Sequence, residues 1–281
     1  MEGKFFKYFL IFIAIISVSS AAILIRMSNA EPLAIATFRM GISSIILLPL
    51  FFMKGKKNFI KKDIKIFILS GLFLAFHFYV WITSLRFTSI MSSTVLVTTN
   101  PIFVSIFSFF IFKKKIKIKT ILAIILSILG IIFMSYGFSF SVNFKGNFLA
   151  LLGALFASLY IISNYYLRKK YELIDIVFPV YSISFLILLI LSLFLNVKLY
   201  PLGLKEYFLF FLIALIPQVI GHSIFNYSLK FFSPIFISLS ILGEPIGATI
   251  FGIIFFKEIP KILEILGGFL IITGIVISDK E

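Results

Sequence analysis

Residues 84–117 read SLRFTSIMSSTVLVTTNPIFVSIFSFFIFKKKIK, and residues 228–261 read SLKFFSPIFISLSILGEPIGATIFGIIFFKEIPK. Laid over one another at a spacing of 144 residues, they align without a gap. Matched isoleucines or phenylalanines carry little weight in so apolar a chain. More telling are Ser84 with Ser228, Arg86 with Lys230, Ser89 with Ser233, Pro101 with Pro245 and Lys113 with Lys257. Beyond the quoted stretch, Gly130 of GIIF falls on Gly274 of GIVI. Self-similarity at a fixed spacing is the mark of a duplicated chain.

Working outward, the 281 residues are 61% apolar and only 13% charged, with a mean hydropathy of +1.16. A soluble domain needs a larger polar fraction to cover its surface. Apolar stretches long enough to cross a bilayer recur along the whole length. Ten spans are predicted, near 5–25, 33–53, 64–85, 89–112, 118–137, 146–166, 174–195, 207–229, 233–256 and 261–278. The fold class is therefore an all-α integral membrane protein, with the lipid bilayer as its first partner. The opening KFFKYFLIFIAIISVSSAA has the layout of a secretory signal, but its apolar run is long and many spans follow, so it reads as the first span. The chain has no cysteine, which removes disulfides, thiolate metal sites and thiol nucleophiles.

The net charge of +15 sits in short connections between spans, which argues for topology and against nucleic acid. With the N-terminus inside, 18 of the 26 Lys and Arg fall in inner segments and seven in outer ones, with Arg39 inside a span. This bias predicts a cell-membrane protein with both termini cytoplasmic. Five spans per copy is an odd number, so the second copy must enter the membrane the other way up. The copies take in residues 5–137 and 146–278. The basic KKKIKIK of the first copy would then face inward, and the charge-balanced KEIPKILE of the second would face outward. Inverted repeats are characteristic of secondary transporters, whose substrates bind near the midplane between the copies.

The polar residues inside the spans are the candidates for a site. Glu244 is midway along the ninth span, where a carboxylate costs on the order of 3 kcal/mol on insertion scales. It must face a cavity or a partner, or carry a proton. Pro245 beside it lacks an N–H and predicts a kink. Asn100 and Pro101 repeat the arrangement in the fourth span, so Pro101 and Pro245 read as a pair of gating hinges. In the eighth span, Gln218, His222 and Asn226 are four residues apart and share one helical stripe. His77, Trp81 and Ser84 make a similar stripe in the third span, and Asn164 lies near the inner end of the sixth. Each stripe is also compatible with hydrogen bonding for packing alone. Arg39 could snorkel, pair with an acid or attract an anionic solute. Ala150, Ala154 and Ser158, with Gly153 and Ala157 offset, permit close helix approach. They read as packing inside the molecule, and a homodimer stays open.

Catalytic and metal-binding motifs are missing: there is no H-E-x-x-H, no glycine-rich phosphate loop and no hydrolase-like acid pair. No catalytic residue, metal or cofactor is expected. No connection between spans is long enough to hold a nucleotide-hydrolysing domain, so a gradient is the expected energy source.

The stretches AFHFYVWITSLRFTSIMSSTVLVTTNPIFVSIFSFFIFKKKI and GHSIFNYSLKFFSPIFISLSILGEPIGATIFGIIFFKEI resemble the EamA-type repeat of the drug/metabolite transporter superfamily. FRMGISS around Arg39 and SLYIISNYYLRKK around Asn164 are similar to it too. The resemblance implies two inverted five-helix EamA repeats and carriage of small metabolites such as amino acids, often outward. It also implies a central cavity lined by spans one, three, four, six, eight and nine. Where the family commonly has an acid after the lysine that ends the fourth span, the first copy has KKK at 113–115. The expected mechanism is alternating access by a small-molecule carrier, with protons as an open coupling partner. A passive channel and a non-transporting membrane scaffold or sensor are the alternatives.

Overall fold

The computed structural model describes residues 3–56, 59–88, 90–113, 117–135, 143–200, 202–247, 250–251 and 262–279. The described residues are almost entirely helical, and no strand occurs among them. Helix α1 (Lys4–Ser19) continues into α2 (Ala21–Met27), followed by α3 (Pro32–Lys54), α4 (Ile64–Phe87), α5 (Ile90–Val97) and α6 (Asn100–Phe112). Then come α7 (Ile118–Ser135), α8 (Phe144–Arg168), α9 (Leu173–Phe194) and α10 (Leu204–Ile213). A π-helical segment (Ala214–His222) leads to α11 (Ser223–Ser228), α12 (Pro234–Ile241) and finally α13 (Ile262–Asp279). Seven helical segments among the described residues are long and apolar enough to cross a membrane, and three shorter apolar ones accompany them.

Helix ends follow local chemistry. Pro32 opens α3 in the first turn, where its missing N–H costs nothing. Asn143 caps α8 by accepting from the Gly146 N–H at 3.2 Å, and Ser233 caps α12 by accepting from Phe236 N–H at 3.1 Å. Polarity is distributed as hydrocarbon requires. Phe110, Ile190, Leu193 and Phe269 point outward, whereas Arg39, Ser43, Ser70, Asn164 and Gln218 are wholly buried. Water would reverse that arrangement, since it favours burying the apolar groups.

Both expected hinges are sharper than kinks. Helix α5 stops at Val97 and α6 starts at Asn100; α12 stops at Ile241 and the chain turns helical again at Glu244. Each proline thus sits in the first turn of a new helix instead of bending a continuous one, because only there do its ring and missing N–H fit without strain. Each resumed helix is tied at its start to the other half of the chain. Ser158 Oγ of α8 donates to the Asn100 carbonyl at 3.1 Å, and Ser19 Oγ of α1 donates to the Glu244 carbonyl at 3.0 Å. Helix α1 reaches this break because Gly243 and Gly247 leave room: a Cβ on Gly243 would lie 2.9 Å from the Ile15 side chain, and one on Gly247 would collide with Ser19.

The glycines matched in sequence both lie in the contact between α7 and α13. A Cβ on Gly130 of α7 would lie 2.6 Å from the Gly267 carbonyl of α13, and one on Gly274 of α13 would lie 2.8 Å from the Ala123 carbonyl of α7. Ala123 and Gly267 are themselves 144 residues apart, so the two contacts exchange under the sequence spacing. The pairing of 123 with 274 and of 130 with 267 makes α7 and α13 antiparallel. In the other half of the bundle, the small side chains of α8 admit α4: a Cβ on Gly153 would touch Val97 at 3.2 Å and Trp81 at 3.3 Å. The small residues of that helix therefore pack inside the molecule.

Replacing Gly130 by Leu is expected to force α7 off α13 and cost about 1–3 kcal/mol, seen as a lower thermal midpoint of the purified protein in detergent. Gly203→Ala, whose new Cβ meets nothing within 4 Å, should leave the midpoint unchanged.

Candidate functional site

A cavity lies between the two helix breaks. It measures about 60 Å³ counted as space open to the centre of a water molecule, several times the roughly 10–15 Å³ that one water needs. Its walls come from α1–α2, α4, the α5–α6 break, α8, the π segment with α11, and α12. Arg39 of α3 also faces it. Of the residues singled out in the sequence, the structure brings Arg39, His77, Trp81, Asn100, His222, Asn226 and Glu244 to this one cavity.

Each side chain is placed for an identifiable reason. Arg39 is fully buried, so it does not snorkel. Its Nε donates to Gln218 Oε1 at 2.9 Å, and its guanidinium carbon lies 3.8 Å from the centre of the Phe78 ring. The aromatic face suits the flat, weakly hydrated cation. Both terminal nitrogens are left without a partner. Glu244, only 7% exposed, starts the helix after the break and faces the same space. Among the described residues the two charges form no ion pair within 4.0 Å, with each other or with any other side chain.

His77 Nδ1 lies 2.9 Å from the Gly153 carbonyl. A carbonyl only accepts, so that nitrogen carries the proton, and in a singly protonated ring Nε2 keeps a lone pair. The ring stacks on Trp81 with planes 4° apart and centroids 6.0 Å apart. Trp81 Nε1 and Asn100 Oδ1 are buried without a partner. Buried polar atoms are nearly always paired. Here orphans gather on three residues of one cavity: two guanidinium nitrogens, an indole donor and an amide acceptor.

Two sequence candidates stand behind the wall. Gln218 holds Arg39 in place and does not line the cavity. Asn164 sits a layer away, where its Nδ2 donates to Asn226 Oδ1 at 2.6 Å and its Oδ1 accepts from Ser70 at 2.6 Å. Asn226 in turn donates to the Tyr160 hydroxyl at 2.7 Å and the His222 carbonyl at 2.8 Å. This chain of bonds joins α4, α8 and α11 and fixes which way Asn226 points. The i→i+5 geometry through Pro217 still keeps His222 and Asn226 on one wall. Sequence reasoning missed Tyr160, Thr98 and Phe78. One tyrosine among 11 and one phenylalanine among 38 carry no spacing signal.

Residues 5–136 and 144–278 match the EamA-like transporter family. The chain is 27% identical to the uncharacterized transporter YdfC of Bacillus subtilis over 248 residues, which is 87% of this chain and 80% of that one. It is 26% identical to an uncharacterized transporter of Methanothermobacter thermautotrophicus over 212 residues, 70% of this chain and 59% of the relative. A solved crystal structure superposes with a TM-score of 0.80 at 14% identity, covering 98% of this chain and 97% of the other. That likeness is one of fold.

Asn164→Ala is expected to leave the Ser70 hydroxyl without its acceptor and free Asn226 to rotate. The cost is about 1–3 kcal/mol, measurable as a drop in the thermal midpoint.

Proposed function

The chain belongs to the EamA-like transporter family, and from that premise we propose that it is a secondary carrier, an exporter, of small zwitterionic metabolites such as amino acids. The observation that carries this reading is the pair Arg39 and Glu244: opposite charges, both buried, facing one cavity without touching. An ion buried in protein costs several kcal/mol unless it is compensated. A solute with both a carboxylate and an ammonium compensates both at once. The free guanidinium fork suits a carboxylate bidentately. Glu244, helped by the Asn100 oxygen, suits the ammonium. Trp81, Phe225 and Ile237 offer an apolar wall for the rest of the solute.

In this reading the three shorter apolar helices also cross the membrane, giving ten spans in two inverted five-helix repeats with both termini cytoplasmic. The antiparallel exchange of contacts between α7 and α13 supports the inversion, and the charge bias supports the orientation. The breaks at Asn100–Pro101 and Glu244–Pro245 are the points about which the repeats rock, and a proton on Glu244 is the candidate coupling ion.

Counterflow in proteoliposomes tests this. Zwitterionic amino acids are expected to exchange saturably. The corresponding amines, which lack the carboxylate, should compete weakly. Arg39→Met should reduce kcat/KM by about 30-fold or more, the usual scale for truncating one member of a buried charge pair. Glu244→Gln should abolish flux driven by a pH gradient. Saturable exchange that survives both substitutions would remove the charge pair from the site, and flux that never saturates would make the protein a pore.

A further inference from the structure

Two carboxylates far from the cavity occupy matching places in the chain. Asp63 immediately precedes α4, and Glu206 lies in the first turn of α10. Their separation of 143 residues is within one of the repeat spacing. Each reaches across to the other copy. Asp63, 2% exposed, takes Lys170 Nζ at 3.0 Å on both oxygens, Tyr171 Oη at 3.0 Å and Tyr166 Oη at 3.2 Å. All three partners are at the junction of α8 and α9. Lys170 Nζ also donates to the Tyr166 hydroxyl at 2.7 Å, and its bonds to Tyr166 first and Asp63 next hold the ammonium more firmly protonated than usual. Glu206 takes the Ser28 hydroxyl and the Asn29 N–H, the latter at 3.1 Å, at the junction of α2 and α3. These two junctions also correspond: 170 and 171 fall within two residues of 28 and 29 at the same spacing.

The clusters lie at opposite ends of the bundle. Helix α4 has 24 residues and is about 36 Å long. Asp63 is at its start. Arg86, near its end, donates to the Ser28 and Ala30 carbonyls at 3.1 and 2.6 Å, beside Glu206. The Asp63 end is stitched further by Lys56 N–H to Asp175 at 2.9 Å and Ile60 N–H to Tyr171 Oη at 3.0 Å. The Glu206 end is stitched by Lys198 N–H to Glu31 at 3.3 Å.

We infer that Asp63 and Glu206 are paired latches, each closing one face of the cavity by binding the third helix of one repeat to the loop after the first helix of the other. The proposal rests on the transport reading. Opening to either face requires one latch to part while the other holds. The latches are unequal. Asp63 is buried against an ammonium and two phenols, while Glu206 is half-buried against a hydroxyl and a backbone amide. Both carboxylates accept charge-assisted bonds, but Asp63 is the more buried and takes four of them, two from an ammonium that is itself part-exposed, where Glu206 takes two, so the resting protein opens by preference on the Glu206 face.

The chain has no cysteine, so Thr98→Cys, in the cavity wall, gives a single reporter in the full-length protein. Its labelling by a membrane-impermeant thiol reagent is compared in right-side-out and inside-out vesicles. The parent should label faster from the Glu206 face. Asp63→Asn should shift the ratio of the two rates toward the Asp63 face by about tenfold, as expected for loss of a charge-assisted contact in one of two states. Glu206→Gln should shift it the opposite way, and the double variant should fall between the two. A protein merely loosened by mutation would label faster from both faces. That outcome, shifts of the same sign or no shift would overturn the latches. Opposed shifts without solute counterflow would leave the latches and sink the carrier reading; counterflow without opposed shifts would do the reverse.

Discussion

Where α12 stops and the chain resumes at Glu244, a carboxyl side chain comes to lie inside an apolar bundle. Hydrocarbon cannot solvate it. The cavity answers that liability, and the Ser19 hydroxyl, 3.0 Å from the Glu244 carbonyl, ties the resumed helix to α1. Much of the remaining architecture serves that solution. Helix α1 must come close enough to donate, which requires Gly243 and Gly247. The cavity must exist, which requires that α8 pack through small residues against α4 while leaving its tyrosine and α11's asparagine at the wall.

The same problem is solved twice with different atoms. The Asn100 break takes its hydroxyl from Ser158, the Glu244 break from Ser19. These serines are not matched by the repeat spacing, although the helices that carry them correspond. What is repeated is a tie from a serine on the first helix of one half to the start of the resumed helix of the other. Arg39, in contrast, has no charged counterpart in the second copy: 144 residues on stands Ile183. The cavity is therefore polar in one direction, which in the proposed reading suits an asymmetric solute.

Much of the site was legible in the sequence because membrane burial makes polar residues conspicuous. Glu244, Asn100, His77, Trp81, His222 and Asn226 stood out against an apolar background, and the stripes of period four placed them on inward faces. Gln218 and Asn164 stood out for the same reason, yet they hold other side chains in place and do not line the cavity. Periodicity reports the face of a helix, not the depth of a side chain behind the wall. Asp63, Glu206 and Lys170 were hidden among ordinary loop charges, since partners about 100 residues or more away leave no local pattern.

From the amino-acid sequence alone came the class of the protein, the expectation of a duplicated chain and of its orientation, and the two proline sites, because each depends on composition or spacing along one chain. Tertiary structure alone decided that the hinges are interruptions and not bends, that Arg39 is buried and faces the cavity that Glu244 lines, and which hydroxyl ties each resumed helix to its neighbour. Those outcomes are settled by distances between helices, and such distances depend on how the two halves close on each other.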